Sequence, residues 1–263
     1  MKILLSFDLE EFDIPREYGQ EIGQEAQMGI SLGGLKKIMN LLEELGIKAT
    51  FFSTAEFAKK YPKTILELSK KHEIASHSCS HSSFSPEDLK KSRLVLEKIA
   101  RKKIIGFRMP RLKKVSDTEL KKAGYIYNSS CNPFYLPGRY NNFFKKRVPY
   151  IHEGILNIPS SSATPVARIP NFYLLFKVLP LFIFKIISKI NLIWDNWLTI
   201  YFHPWEFADL GKFRLPFYVK KPYGDAMLKK LKDYLVWLKS QGTFITFSEF
   251  AAYFLSKSRL SLL

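Results

Sequence analysis

The amino-acid sequence predicts an α/β fold in which a parallel sheet closes into a single β/α barrel. Short apolar runs of strand length alternate with amphipathic runs of helical period, the order that gives a parallel sheet with crossover helices. The 263 residues, 46% of them hydrophobic, are enough to bury one sizeable core. No internal repeat, low-complexity tract or Ser/Gly-rich linker marks a second unit, so a barrel domain over 1–255 with a short tail over 256–263 is expected.

The first strand is expected at Ile3 to Phe7. An amphipathic helix around Leu35 to Leu45 follows, stopped by Gly46, and a strand at Ala49 to Ser53 completes a β-α-β unit. After a strand at Glu73 to Ala75, Ser85-Pro86-Glu87-Asp88 opens a helix, with proline at its first position and an acid three residues after the cap. Ser116 to Glu119 repeats the capping spacing after a strand at Ile104 to Phe107. Further strands are expected at Tyr125 to Asn128, Leu156 to Ile158, Leu198 to Phe202 and Thr243 to Thr246. The loop over 131–148, with Pro133, Pro137, Gly138, Asn141 and Asn142 among aromatic and basic residues, is the least regular segment and reads as a functional or substrate-contacting loop.

Bulk properties narrow the setting. Cys79 and Cys131 lie far apart with no C-x-x-C spacing, which argues against a disulfide framework or a cysteine zinc site and fits a reducing cytoplasm. The opening MKILLSFDLEEF reaches carboxylates too soon for a signal peptide. A net charge of +17 favours anionic surfaces without choosing among them. No nucleic-acid motif interleaves the basic residues, so no nucleic-acid partner is expected. The acids gather instead near the start: Asp8, Glu10, Glu11, Asp13, Glu17, Glu21 and Glu25. The most apolar run, Asn171 to Ile190, is a poor membrane span because Lys177, Lys185, Lys189 and Pro180 interrupt it. With its three lysines within one helical arc, it reads as a helix packed on the barrel or as a peripheral membrane surface.

The chemistry-bearing residues sit where strands are expected to end: Asp8 and Glu10, His77, Arg108 and His203. In a β/α barrel those ends converge on one pocket. His77 and His81, four residues apart, would on a helical turn face one side and suit a divalent cation, although such a pair alone is more often a surface or packing feature. Asp8 and Glu10 point to the same side of an extended segment, so one can bind metal while the other takes a proton. Arg108 at a strand end could fix a carboxylate and keep it ionised. Pro204 stops the strand just after His203. Trp205 reads first as core packing and second as a sugar-stacking platform, and Glu206 as a surface acid or as the group that orients His203. His72 and His152 have no comparable setting.

In order and spacing these motifs resemble the polysaccharide deacetylase family, or NodB-homology domain, from about Met1 to Phe254. The resemblance rests on SFDLEEF, His77-Ser78-Cys79-Ser80-His81, GFRMP, GYIYNSS and YFHPWEF. The F-D-x-E start and H-P-W-E ending look like a branch associated with exopolysaccharide or surface-glycan synthesis, in which an apolar helical region also precedes the last motif. The resemblance implies a distorted parallel barrel and hydrolysis of an N-acetyl group on an amino sugar. It makes Asp8 the general base, Arg108 its ion-pair partner and His203 the general acid. Glu10, His77 and His81 become ligands of zinc, or of cobalt or nickel. Leu9 departs from the commoner F-D-D, which leaves Glu11 as the alternative to Glu10, and period 2 favours Glu10. Asn128-Ser129 stands where an aspartate often supports the histidine, with Glu206 as a candidate replacement. Pro110, Arg111 and Trp205 would meet the substrate, a carbohydrate that is free or lipid-linked. The competing expectations are a deformylase or deacetylase of a polyprenyl-phosphate-linked sugar at the membrane face, and a glycan-binding barrel without catalysis.

Overall fold

Strand β1 (Lys2–Leu9) is buried along almost its whole length, which is why KILLSFDL reads as an apolar run and not as an alternation. The structure, a computed structural model, describes residues 1–136 and 140–260. Pro137, Gly138 and Arg139 in the expected functional or substrate-contacting loop and residues 261–263 of the expected tail lie outside the described residues. Parallel neighbours run across the sheet in the order β12 (Trp197–Phe202), β1, β2 (Thr50–Ser53), β3 (Glu73–Ser76), β4 (Gly106–Phe107), β5 (Tyr127–Asn128) and β9 (Ile155–Asn157), with β13 (Thr243–Phe244) beside the start of β1.

The sheet curls into a half-barrel, the distorted barrel that the sequence predicts. At the open seam the Ser161 N–H donates to Thr199 Oγ1 at 2.7 Å and the Thr199 N–H donates to Ser161 Oγ at 2.8 Å. Side-chain hydroxyls there accept from backbone donors that a ladder would otherwise satisfy. The sheet is mixed, because β8 (Tyr150–His152) folds back antiparallel on β9 through Glu153 and Gly154, whose φ values of 49° and 79° suit a two-residue hairpin turn. Hairpins β6 (Tyr135–Leu136) with β7 (Tyr140–Asn141) and β10 (Ser162–Ala163) with β11 (Ile169–Pro170) are likewise antiparallel. Strands of two or three residues are too short for periodicity to reveal.

The interior face of β1 is layered by period 2. Leu4 belongs to an apolar floor with Phe52, Ala75, Tyr127, Leu156 and Trp197, joined by Phe247 and Phe250 of α11 (Phe247–Leu260). Above it Ser6 accepts from Arg108, whose guanidinium lies 3.9 Å from the Phe52 ring centre. Asp8 and Glu10 follow at the top. Helix α11 continues through the expected boundary at 255 to Leu260.

After the short α1 (Ile14–Glu17), helix α2 (Gln24–Leu45) starts well before Leu35 and ends, as expected, at Gly46, whose φ is +62°. Gly29, Gly33 and Gly34 blur its early periodicity, and tertiary contacts hold that part. Ser31 Oγ donates to the Glu10 carbonyl at 2.6 Å, and Gly34 lies so close to the 204–207 turn that a Cβ would sit 1.7 Å from the Pro204 carbonyl oxygen. Next come α3 (Ala55–Lys60), α4 (Pro62–Lys71), α5 (Glu87–Ala100) and α6 (Asp117–Lys122). Ser116 caps α6 as its spacing predicts, whereas at α5 the cap is reversed: Asp88 accepts from the Ser85 N–H at 2.9 Å.

The run from Asn171 departs from expectation. It forms two helices, α7 (Tyr173–Val178) and α8 (Leu181–Asp195), because Pro180 has no N–H to continue α7 and holds Leu179 extended at ψ 147°. The break removes Lys177 from the expected arc of three lysines and buries it, leaving Lys185 half-buried over the Trp237 ring and Lys189 exposed. Then follow α9 (Phe217–Lys220) and α10 (Gly224–Lys239). Among the described residues no helix is long and apolar enough to cross a membrane.

Candidate metal centre and active site

Glu10, His77 and His81 converge, with one ligand atom from each lying within 4.8 Å of the others. Helical spacing is not what aligns the histidines, contrary to the sequence expectation. Residues 77–81 form an irregular turn with Ser78 at φ 65°, and the N-terminus of α3 pins it: the Ala55 and Glu56 N–H groups donate to the Ser78 and Cys79 carbonyls at 3.0 Å each. His77 Nδ1 donates to the Arg108 carbonyl at 2.8 Å, and His81 Nδ1 donates to Asp13 Oδ1 at 2.9 Å. Each Nε2 is thereby left for the centre, 3.0 Å and 3.2 Å from Glu10 Oε2. Glu11 points away from this cluster. It accepts from Thr54 Oγ1 and from the His81 N–H, so the alternation along the strand sets Glu10, and not Glu11, beside the two imidazoles.

Two further pairs flank the cluster. Arg108 Nη1 donates to Asp8 Oδ1 at 2.5 Å, and its Nε and Nη2 are held by the Ser129 carbonyl and hydroxyl. That leaves Asp8 Oδ2 turned toward His203 Nε2, 4.0 Å away. Across the site Glu206 Oε1 accepts from both the His203 N–H at 2.7 Å and His203 Nδ1 at 3.0 Å. Asn128 does not reach His203, since it joins Asp117, Asn157 and Ser130. Behind Glu206 the ammonium of buried Lys177 lies 3.4 Å from Oε2 and donates to the Val219 carbonyl.

Charges in this buried site set one another. Burial alone would raise Glu10, yet the imidazoles of His81, His203 and His77 hold it well below the usual carboxylate range. Burial would lower His81, but Glu10 and Asp13 overcome it and lift it to about 9. His203 is raised in the same way, by Glu10, Glu206 and Asp8 against burial. Glu11 is pushed by burial, with Glu56 and Glu10 adding to it against the weaker pull of a backbone N–H and His81, up to about 7. An anionic oxygen and two oriented imidazole nitrogens form a donor set that suits a divalent transition metal.

A cavity of about 330 Å³ opens over these groups, lined by Asp8, Glu10, His77, His81 and His203 together with Ile14, Glu17, Arg111, Leu112, Tyr173 and Tyr201. Two expected substrate contacts are corrected by burial. Trp205 is 0% exposed and lies behind the site, its ring stacked on His203 at 5.1 Å and its Nε1 donating to Glu10. Pro110 is also buried and does not line the cavity. Arg111 does line it, with its guanidinium bridging Asp13 and Glu17 at the rim. Sequence reading missed Asp13, Tyr173, Tyr201 and Lys177 as parts of this site. Asp13 stood in the noted acidic cluster, but nothing in its spacing pointed to His81.

Fold and site define a half-closed β/α barrel with a candidate divalent-metal centre at the C-terminal ends of its strands. Residues 32–127, which include His77, His81 and Arg108, match the polysaccharide deacetylase family model. No sequence among the curated proteins matches the chain. A Mycobacterium smegmatis structure provisionally described as a polysaccharide deacetylase is similar over 98% of this chain and 91% of that one, at 16% identity and a TM-score of 0.66. Puue allantoinase is similar over 97% and 90%, at 15% identity and 0.64. A Pseudomonas aeruginosa structure, also provisionally described as a polysaccharide deacetylase, is similar over 95% and 89%, at 13% identity and 0.64. Identities this low speak for the fold, and the family model matches the chain over residues 32–127.

Proposed function

We propose that the protein is a metal-dependent hydrolase that removes the N-acetyl group from an amino sugar of a polysaccharide or surface-glycan precursor. The observation that carries this reading is the meeting, in one cavity, of the Glu10-His77-His81 donors with an Arg108-held Asp8 on one side and a Glu206-held His203 on the other. Zinc fits two nitrogens and one carboxylate oxygen, and cobalt and nickel use the same donors. When bound, such an ion supplies Lewis-acid polarisation of the acetamide carbonyl and of water.

The chain's own residues supply the proton transfers. Asp8, with one oxygen occupied by Arg108, uses Oδ2 as the general base that takes a proton from the attacking water. His203, with Nδ1 fixed by Glu206 and its protonated form favoured, delivers a proton from Nε2 to the departing amine nitrogen. Tyr173 and Trp205 pack on the His203 ring and restrict its motion. The backbone N–H at Arg111 is the proposed donor to the developing oxyanion. Products are acetate and a free amino sugar.

The test is acetate release from N-acetylated oligosaccharides by protein stripped with chelator and reloaded with zinc or cobalt. His77→Ala should lose tight metal binding, and Asp8→Asn should bind metal but release acetate about 10³-fold more slowly. Full activity in the stripped protein, or an Asp8→Asn rate equal to wild type, overturns the assignment.

A further inference from the structure

The outward arc of α8 is apolar. Phe182, Ile186, Ile193 and Trp194 project from it, 55 to 64% exposed, at the i, i+4, i+11, i+12 spacing of one helical face, with half-buried Ile183 and Ile190 between them. The same helix already has a packed side, where Phe184, Ile187, Ser188, Asn191 and Leu192 are buried. Beyond its N-terminal end Val178 is exposed as well, as are Phe217 and Tyr218 of α9, a helix tied to α7 by the Lys177–Val219 bond. Exposed apolar side chains grouped in this way mark an interaction site.

The charge around it identifies the partner. No acid occurs between Asn171 and Trp194 or between Lys212 and Gly224, whereas Lys185, Lys189, Lys212, Arg214, Lys220 and Lys221 are all basic. Asp195, just past the face, is already paired with Arg147. A second copy of the chain meeting this face across a two-fold axis would set these cations against one another. An apolar surface edged by cations fits an interface with hydrocarbon beneath and anionic headgroups around it.

We propose that the outward face of α8, with α9, docks the protein on an anionic lipid surface. Isoleucine, phenylalanine and tryptophan enter the headgroup boundary while lysine ammonium groups stay at phosphate level. Docking there bears on substrate delivery. Helix α7 starts at Tyr173, which lines the catalytic cavity, and ends at exposed Val178, so about 9 Å of helix separates the cavity wall from the docking face. A sugar carried on a lipid anchor would be presented beside the site.

Vesicle flotation tests the proposal without reference to catalysis. The protein should float with phosphatidylglycerol-containing vesicles and not with phosphatidylcholine alone. Phe182→Glu with Trp194→Glu should reduce the vesicle-bound fraction about tenfold, and Lys185→Glu with Lys189→Glu should reduce it as well, with far-ultraviolet circular dichroism and thermal unfolding unchanged. Equal flotation of wild type and the Phe182→Glu/Trp194→Glu variant, or no flotation on anionic vesicles, overturns it. So does a concentration-dependent dimer in sedimentation that the variant abolishes, which would assign the face to a second copy. Retained acetate release by the variant on soluble substrate would separate loss of docking from failure of the deacetylase reading.

Discussion

The mouth of the barrel and the wall beside it handle charge in opposite ways. At the mouth, Asp8, Glu10, Glu11 and Asp13 are all nearly buried, and Asp8, Glu10 and Asp13 each face a cation or an imidazole. Along α7 and α8 there is no acid before Asp195, and apolar side chains stand in solvent. Buried charge is tolerated only where it is paired, so the mouth is a fixed polar network, while the wall keeps its cations outside and leaves its apolar face for a partner. Lys177 is the exception that joins the two: it leaves the wall, is buried, and pairs with Glu206 behind His203. Burial lowers its affinity for a proton and Glu206 opposes that effect.

Breaking this joint should have the largest effect. Lys177→Met leaves Glu206 as a buried carboxylate without its cation, and a loss of about 3–5 kcal/mol is expected, read as a fall of roughly 10 °C in Tm. A Lys177→Met/Glu206→Gln double variant should recover much of the stability but not the turnover, since the amide no longer holds His203 as an anion does. Equal stability of Lys177→Met and wild type would remove Lys177 from the network.

The second test presses on the mouth from the other side. Gly34→Ala forces a methyl group against the Pro204 carbonyl, where no flexible side chain can give way. It should cost about 1–3 kcal/mol and lower kcat more than KM, because the displaced turn carries His203. The expectation fails if thermal unfolding and kcat both match wild type.

The smallest effect sharpens the contrast between paired and unpaired burial. His72 packs on Phe51 away from the mouth, and burial lowers it from 6.5 to about 4. Between those values the unfolded chain takes up a proton that the folded chain refuses. The stability contribution is therefore complete above pH 6.5 and is lost as pH falls toward 4. Tm measured at pH 7 and pH 5 should drop less in His72→Gln than in wild type; parallel drops would show that His72 does not contribute.

Much of this arrangement is local and so could be read from the chain. Period 2 along β1 alone sends Leu4, Ser6, Asp8 and Glu10 inward and turns Glu11 aside. Pro204 ends β12 where His203 must stop, and Glu206 reaches back over three residues to the histidine. Gly46 ends α2 at its expected place. What stayed hidden depends on distance in sequence. Asp13 meets His81, Lys177 meets Glu206, and Gly34 meets Pro204 only after the barrel curls. The His77–His81 geometry is set by the α3 N-terminus and not by the four-residue spacing. Trp205 shows the same limit, since its motif cannot tell a sugar platform from a packed ring, and full burial behind Glu10 decides for packing. Backbone periodicity and turn chemistry act over a few residues, so the sequence by itself determined the strand order of chemistry, the alternation that separates Glu10 from Glu11, and the resemblance to the polysaccharide deacetylase family. Pairing partners and the exposed face of α8 were decided by tertiary structure, because burial and charge compensation belong to neighbours that the chain brings together only on folding.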